Sequence, residues 1–254
     1  MAEGRTAGGA FPGRTGPGPL GLYGRFVSQS VRASLQYRLS FVLMAFGYFI
    51  TSGVEALGVW ALFDRFGMLG QWSLAEVALL YGMVNVAFPI SEALARGFDV
   101  FGQEFVKTGN FDRVLLRPRS TVLQLAGYEF QIYRIGRLLQ GLIVLAIAMW
   151  LLPIDWTLWR LALLVFTIFS GVVFFYALFI FQAAMSFWTV VSLEIMNTLT
   201  YGGVETAQYP LAIYQPGFRR FFTFVVPLGC ISYFPAVAIL GIEDPLGSER
   251  WMQL

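Results

Sequence analysis

The chain has 254 residues, 57% of them apolar and 13% charged, where a soluble domain carries roughly a quarter charged. Its net charge of +2, with no basic patch interleaved with aromatics, excludes a nucleic-acid binder. A single cysteine, Cys230, excludes a disulfide framework or thiolate metal cage, and the lack of histidine removes the commonest general base and metal ligand.

Residues 1–19 are rich in Gly, Pro, Ala and Arg and have no apolar core of a signal peptide, which predicts a disordered cytoplasmic tail. In 20–38, Tyr23, Val27, Val31 and Leu35 recur every four residues, with Arg25, Ser28, Gln29 and Arg32 on the other side. This is an amphipathic helix suited to the membrane interface; a helix packed on a soluble partner is the competing reading.

Long apolar stretches with almost no charge follow, at 40–63, 74–94, 138–152 and 158–187, with a more polar one at 190–206. About 20 apolar residues let a helix cross ~30 Å of hydrocarbon. The pattern predicts an all-α, polytopic helical membrane protein with five full spans. A further stretch, 221–240, is divided by Pro227 and Pro235, which predicts a re-entrant helical pair with its freed backbone groups buried in protein.

Arginines set the orientation. Arg5, Arg14, Arg25, Arg32 and Arg38 precede the first span, and Arg96, Lys107, Arg113, Arg117, Arg119, Arg134 and Arg137 follow the second. The loops at 64–73 and 153–160 hold only Arg65 and Arg160. The positive-inside bias therefore puts the N-terminus and 96–137 in the cytoplasm, with Trp60, Trp72, Trp150, Trp156 and Trp159 forming a belt at the opposite face. A helix from about 122 to 152 starts on the cytoplasmic side, where Arg134 and Arg137 snorkel toward headgroups.

Within the cytoplasmic segment 97–120, Phe98, Phe101 and Phe105 stand at helical spacing beside Asp99, Gln103, Glu104 and Lys107. An aromatic face with nothing of its own chain to bury against predicts docking into a partner's groove, or contact with the membrane surface. Next comes GNFDRVLLRP, at 109–118. Asp112, Arg113, Arg117 and Arg119 offer directional ion pairs, and Pro118 stops the segment before the next helix; a charge cluster that only fixes topology is the alternative.

The order G-x-F-D-x-x-L-L-R-P, then Phe187-Trp188, Tyr209-Pro210, Phe224-Val225-Val226-Pro227 and Tyr233-Phe234-Pro235-Ala236 resembles the permease subunits of type-2 ABC transporters. More narrowly it is similar to the small-permease subfamily that includes predicted viologen and drug exporters. The resemblance implies that 39–254 is the transmembrane domain and that 97–120 is the coupling segment seated on an ATP-binding subunit. Its contacts would be Phe98, Phe101, Phe105, Gly109, Phe111, Asp112, Arg117 and Pro118. It also implies a second permease subunit, identical or related, and a gate in 208–241 shaped by Pro210, Pro227 and Pro235. The family's last span has no counterpart before Leu254, which predicts a truncated sequence unless 221–240 crosses fully. The location implied is the plasma membrane of a prokaryote, as a multi-pass protein surrounded by lipid.

The chain holds no phosphate-cradling G-x-x-x-x-G-K-[ST]: its only lysine, Lys107, follows Val106. ATP hydrolysis is therefore expected on a separate polypeptide, and this chain is expected to be neither an enzyme nor a cofactor carrier. Ionisable groups in hydrocarbon cost roughly 2.5–3.5 kcal/mol each, so they face partner helices or a wet path. Glu55, Asn85, Glu92, Glu194, Asn197 and Glu205 are the candidates for the translocation path or subunit interface. For Glu55, interhelical hydrogen bonding and contact with a substrate or cation both stand. A secondary transporter would carry an internal repeat, and none is found; an intramembrane enzyme would need paired aspartates inside a span, and there are none.

Overall fold

Among the described residues, four helices are long and apolar enough to cross a bilayer: Arg38–Phe66, Leu74–Val106, Ile132–Leu151 and Leu158–Met185. The computed structural model describes residues 18–188 and 193–243, without the side chains at 19, 20 and 193–195. The expected tail up to residue 17, the Glu194 side chain and everything after 243, where the truncation was expected, lie outside the described residues.

Helix α1 (Pro19–Gln36) starts on a proline, whose missing N–H costs nothing in a first turn. After Tyr37 the chain enters α2 (Arg38–Phe66), which stops at Gly67 with φ of 78°. Ser73 and Glu76 open α3 (Leu74–Asp99) as a capping box. The Ser73 N–H donates to the Glu76 carboxylate at 2.7 Å, and the Glu76 N–H returns to Ser73 Oγ at 3.5 Å. A π-helical turn, Phe101–Val106, prolongs α3. Two short helices follow, α4 (Phe111–Leu115) and α5 (Thr121–Ala126), then α6 (Ile135–Leu151) and α7 (Leu158–Met185), the latter capped by the Thr157 hydroxyl. The remainder comprises α8 (Leu193–Ala207), α9 (Pro216–Arg220) and α10 (Tyr233–Leu240).

Three expectations change. The helix expected from about 122 to 152 is broken between α5 and α6, because Gly127 closes α5 against the ring of Phe26 and the Gln131 N–H turns to the Ala93 carbonyl at 3.5 Å. Of the expected fifth span, 190–206, residues 190–192 lie outside the described residues and the rest falls in α8 (Leu193–Ala207). In 221–240 the backbone makes a π-turn, Phe221–Val225, a 3-10 turn, Leu228–Ile231, and then α10. The breaks fall at Val226–Pro227 and at Ser232; Pro235 lies in the first turn of α10, where a proline interrupts nothing. Finally, Trp72 is not a belt residue but a core one, 2% exposed and packed 5.7 Å from the ring of Tyr233.

The core is built around α3. It packs most extensively on α6 and α7 and buries 72% of its most apolar stretch, against 11% for α2 at the periphery. Small residues allow the approach. A Cβ at Gly141 of α6 would stand 2.6 Å from the Asn85 carbonyl oxygen of α3, and one at Gly82 would stand 2.8 Å from the Leu145 backbone. Pro89, inside α3, cannot donate to that same Asn85 carbonyl, so the unbroken helix lacks one backbone hydrogen bond where Gly141 of α6 approaches. The outward face of α2, with Val42, Phe46, Ile50 and Val54, is left exposed and apolar, as a lipid-facing surface must be.

Candidate transport machinery

Two constellations carry the polar chemistry. The first lies among the spans. Glu92 of α3, 1% exposed, receives the Arg134 guanidinium at 2.8 Å and the Tyr201 hydroxyl of α8 at 3.1 Å. Arg134 also donates from Nε to Gln131 Oε1 at 3.1 Å and lies 4.6 Å from the centre of the Tyr48 ring, which itself stacks on Tyr133. Three residues on, Arg137 donates to Asn85 Oδ1 at 3.1 Å, approaches the Glu55 carboxylate at 3.9 Å and sits 5.3 Å from the centre of the Phe88 ring. Asn85 completes its bonding by donating to the Tyr81 carbonyl at 3.0 Å, and the Tyr81 hydroxyl donates to the Ser52 carbonyl at 3.0 Å.

Two corrections follow. Arg134 and Arg137 do not snorkel to headgroups: both guanidiniums turn inward, because two carboxylates and two aromatic faces wait there. Asn85 and Glu92 are enclosed by their own chain, so neither lines an open path in this structure; they strap α3 to α6 and α8. Glu55 differs, with a side chain 38% exposed and a longer ion pair. In α8 the buried face carries Met196, Thr200 and Val204, while Asn197 and Glu205 share the exposed face. Asn197 Oδ1 accepts from Gln182 Nε2 at 3.5 Å. Sequence reasoning missed Tyr201 as a Glu92 ligand. The signal was present, for a tyrosine in the most polar helix needs a partner for its hydroxyl.

The second constellation is the 97–120 segment. The expectation that Phe98, Phe101 and Phe105 find nothing to bury against in their own chain is overturned. All three are buried, Phe101 to 2% exposure. Phe98 meets Tyr176 at 5.7 Å, and Phe101 packs on Phe105, Phe111 and Phe187 at 5.8, 5.1 and 5.2 Å between ring centres. Phe105 meets Tyr128 at 4.9 Å. The edge-to-face geometry of most of these pairs is the favoured one. The phenylalanines thus form a platform that holds α4, and Phe187 at the end of α7 closes it.

What the platform presents is different. Gly109 turns with φ of 72°, a conformation that disfavours any side chain, and sends the backbone into α4. Phe111 is half-buried, whereas Asp112, Arg113, Arg117 and Pro118 are exposed. Leu115 and Leu116 are also exposed, Leu116 to 85%. The two leucines thus form an exposed apolar pair beside these charged residues. Pro210, Pro227 and Pro235 lie in the last third of the chain. Pro210 is buried and leads a 3-10 turn, Leu211–Ile213, while Pro227 is exposed at the break before Leu228.

The family model described as ABC-2 family transporter protein matches residues 49–253, which takes in both constellations and the last third of the chain. No curated protein and no solved structure matches the chain.

Proposed function

Because the chain belongs to the ABC-2 family of transporter proteins, a membrane permease family, we propose that it is the permease subunit of an ATP-driven exporter. In this reading it sits in the plasma membrane of a prokaryote with its N-terminus in the cytoplasm. A separate ATP-binding subunit supplies the energy, and a second permease, identical or related, completes the path. The observation that carries the proposal is the α4 knuckle. Internal rings pack beneath it, and it exposes Asp112, Leu115, Leu116, Arg117 and Pro118 together. A packed support beneath an exposed contact surface is what transmission of force between subunits requires, since a soft support would absorb the displacement.

Glu55 and the exposed face of α8, with Asn197 and Glu205, are assigned to the path or the permease–permease interface. The breaks around Pro210 and Pro227 are assigned to a gate, with the short helices of 208–241 entering the membrane and returning. Glu194 goes with the α8 residues by its place in the sequence. The test is co-purification of an ATP-binding subunit with the tagged chain, and ATP-dependent outward flux in vesicles. Leu116→Asp should abolish both while the protein still folds. Uphill flux by the purified chain with no second polypeptide would overturn the proposal.

A further inference from the structure

Arg113, on α4, and Arg117, in the turn that follows it, both line a cleft of about 190 Å3 beside the knuckle, with Phe105 and Val114 among its apolar lining. Both arginines are exposed, and neither forms an ion pair among the described residues. Gln124, also lining the cleft, is fixed in orientation. Its Nε2 donates to the Val114 and Arg119 carbonyls, both at 3.1 Å, and only the amide nitrogen can serve two acceptors. That leaves Gln124 Oε1 buried with no donor among the described residues. Glu104, on the same lining, is a second acceptor.

The cleft therefore calls for two chemistries side by side: an anion between the guanidiniums, and an N–H or O–H donor beside it. An acidic lipid phosphate itself supplies acceptors only, so it would leave Gln124 Oε1 without a donor. A protein surface can supply both from neighbouring side chains. We infer that the ATP-binding subunit places an acidic side chain between Arg113 and Arg117, with an adjacent donor for Gln124 and Glu104. The inference rests on the coupling reading above and deepens it. Leu116 supplies the apolar part of the contact, and the arginine pair sets its register through charge-assisted, bidentate hydrogen bonds.

The experiment uses the full chain co-expressed with the ATP-binding subunit isolated with the native complex. Arg113→Glu/Arg117→Glu should lower recovery of that subunit at least tenfold, and Arg113→Gln/Arg117→Gln should lower it less. One carboxylate-to-lysine change on the ATP-binding subunit should restore recovery with the glutamate variant. Native chain and variants should bind vesicles containing phosphatidylglycerol equally. Unchanged recovery with the double glutamate variant, alongside loss with Leu116→Asp, overturns this inference and leaves the coupling reading standing. Loss of vesicle binding without loss of the subunit overturns it in favour of lipid. Failure of the native chain to retain any ATP-binding subunit overturns both.

Discussion

The guanidinium of Arg134 lies 2.8 Å from Oε1 of Glu92, and the Tyr201 hydroxyl donates to that same oxygen at 3.1 Å. One buried charge thus ties together the start of α6, the middle of α3 and a helix more than a hundred positions further along the chain. Two charges enclosed together offset each other's loss of hydration; either alone would not be tolerated there.

Removing one partner should therefore cost more than removing both. Arg134→Ala leaves Glu92 enclosed and unpaired, with an expected loss of about 3–5 kcal/mol. Arg134→Met combined with Glu92→Gln should lose far less. Thermal unfolding of the detergent-solubilised variants orders them, and a double variant as unstable as Arg134→Ala would show that the pair itself is not what matters.

Arg137 should outweigh its partner Glu55. Glu55→Gln disturbs only a long contact at 3.9 Å from a carboxylate oxygen that makes no hydrogen bond among the described residues, and should change stability by less than ~1 kcal/mol. Arg137→Gln also loses the bond to Asn85 and the Phe88 face, and should cost about 1.5–3 kcal/mol. Unchanged transport by Glu55→Gln in the reconstituted complex would remove Glu55 from the path.

Close approach of α3 and α6 is testable at one atom. Gly141→Ala puts a methyl group 2.6 Å from the Asn85 carbonyl oxygen, a backbone atom that cannot swing aside. The helices must part, at an expected cost of about 1–3 kcal/mol. Gly47→Ala in α2, where nothing lies within 4 Å, should be neutral or slightly stabilising and serves as the control.

Platform and knuckle should separate in their effects. Phe101→Ala empties a ring-sized volume beneath Phe111 and Phe187 and should lower stability by about 3–5 kcal/mol. Leu116→Ala, at an exposed site, should stay within about 0.5 kcal/mol of the native chain. If coupling runs through the knuckle, only the leucine variant will lose ATP-driven flux while keeping the native unfolding temperature.

The membrane class and the long apolar helices were legible from residue order. Each is a property of a local run: twenty apolar residues in a row demand hydrocarbon whatever surrounds them. Even the polar members of the network, Glu55, Asn85 and Glu92, announced themselves, because an ionisable group in such a run must have a reason to be there.

Direction was not legible. Whether Arg134 reaches out to headgroups or in to Glu92, and whether Phe101 faces a partner or Phe187, depends on which helix stands next to which. A long side chain at a helix end can reach either way at similar local cost, so the neighbour decides. The aromatic triplet read as a docking surface for that reason, and so did Trp72 as a belt residue, until α7 and α10 arrived to cover them. Linear order therefore determined what this chain dissolves in and which residues would be costly there. Packing alone decided which of those costs are met inside the molecule and which surfaces are left for something else.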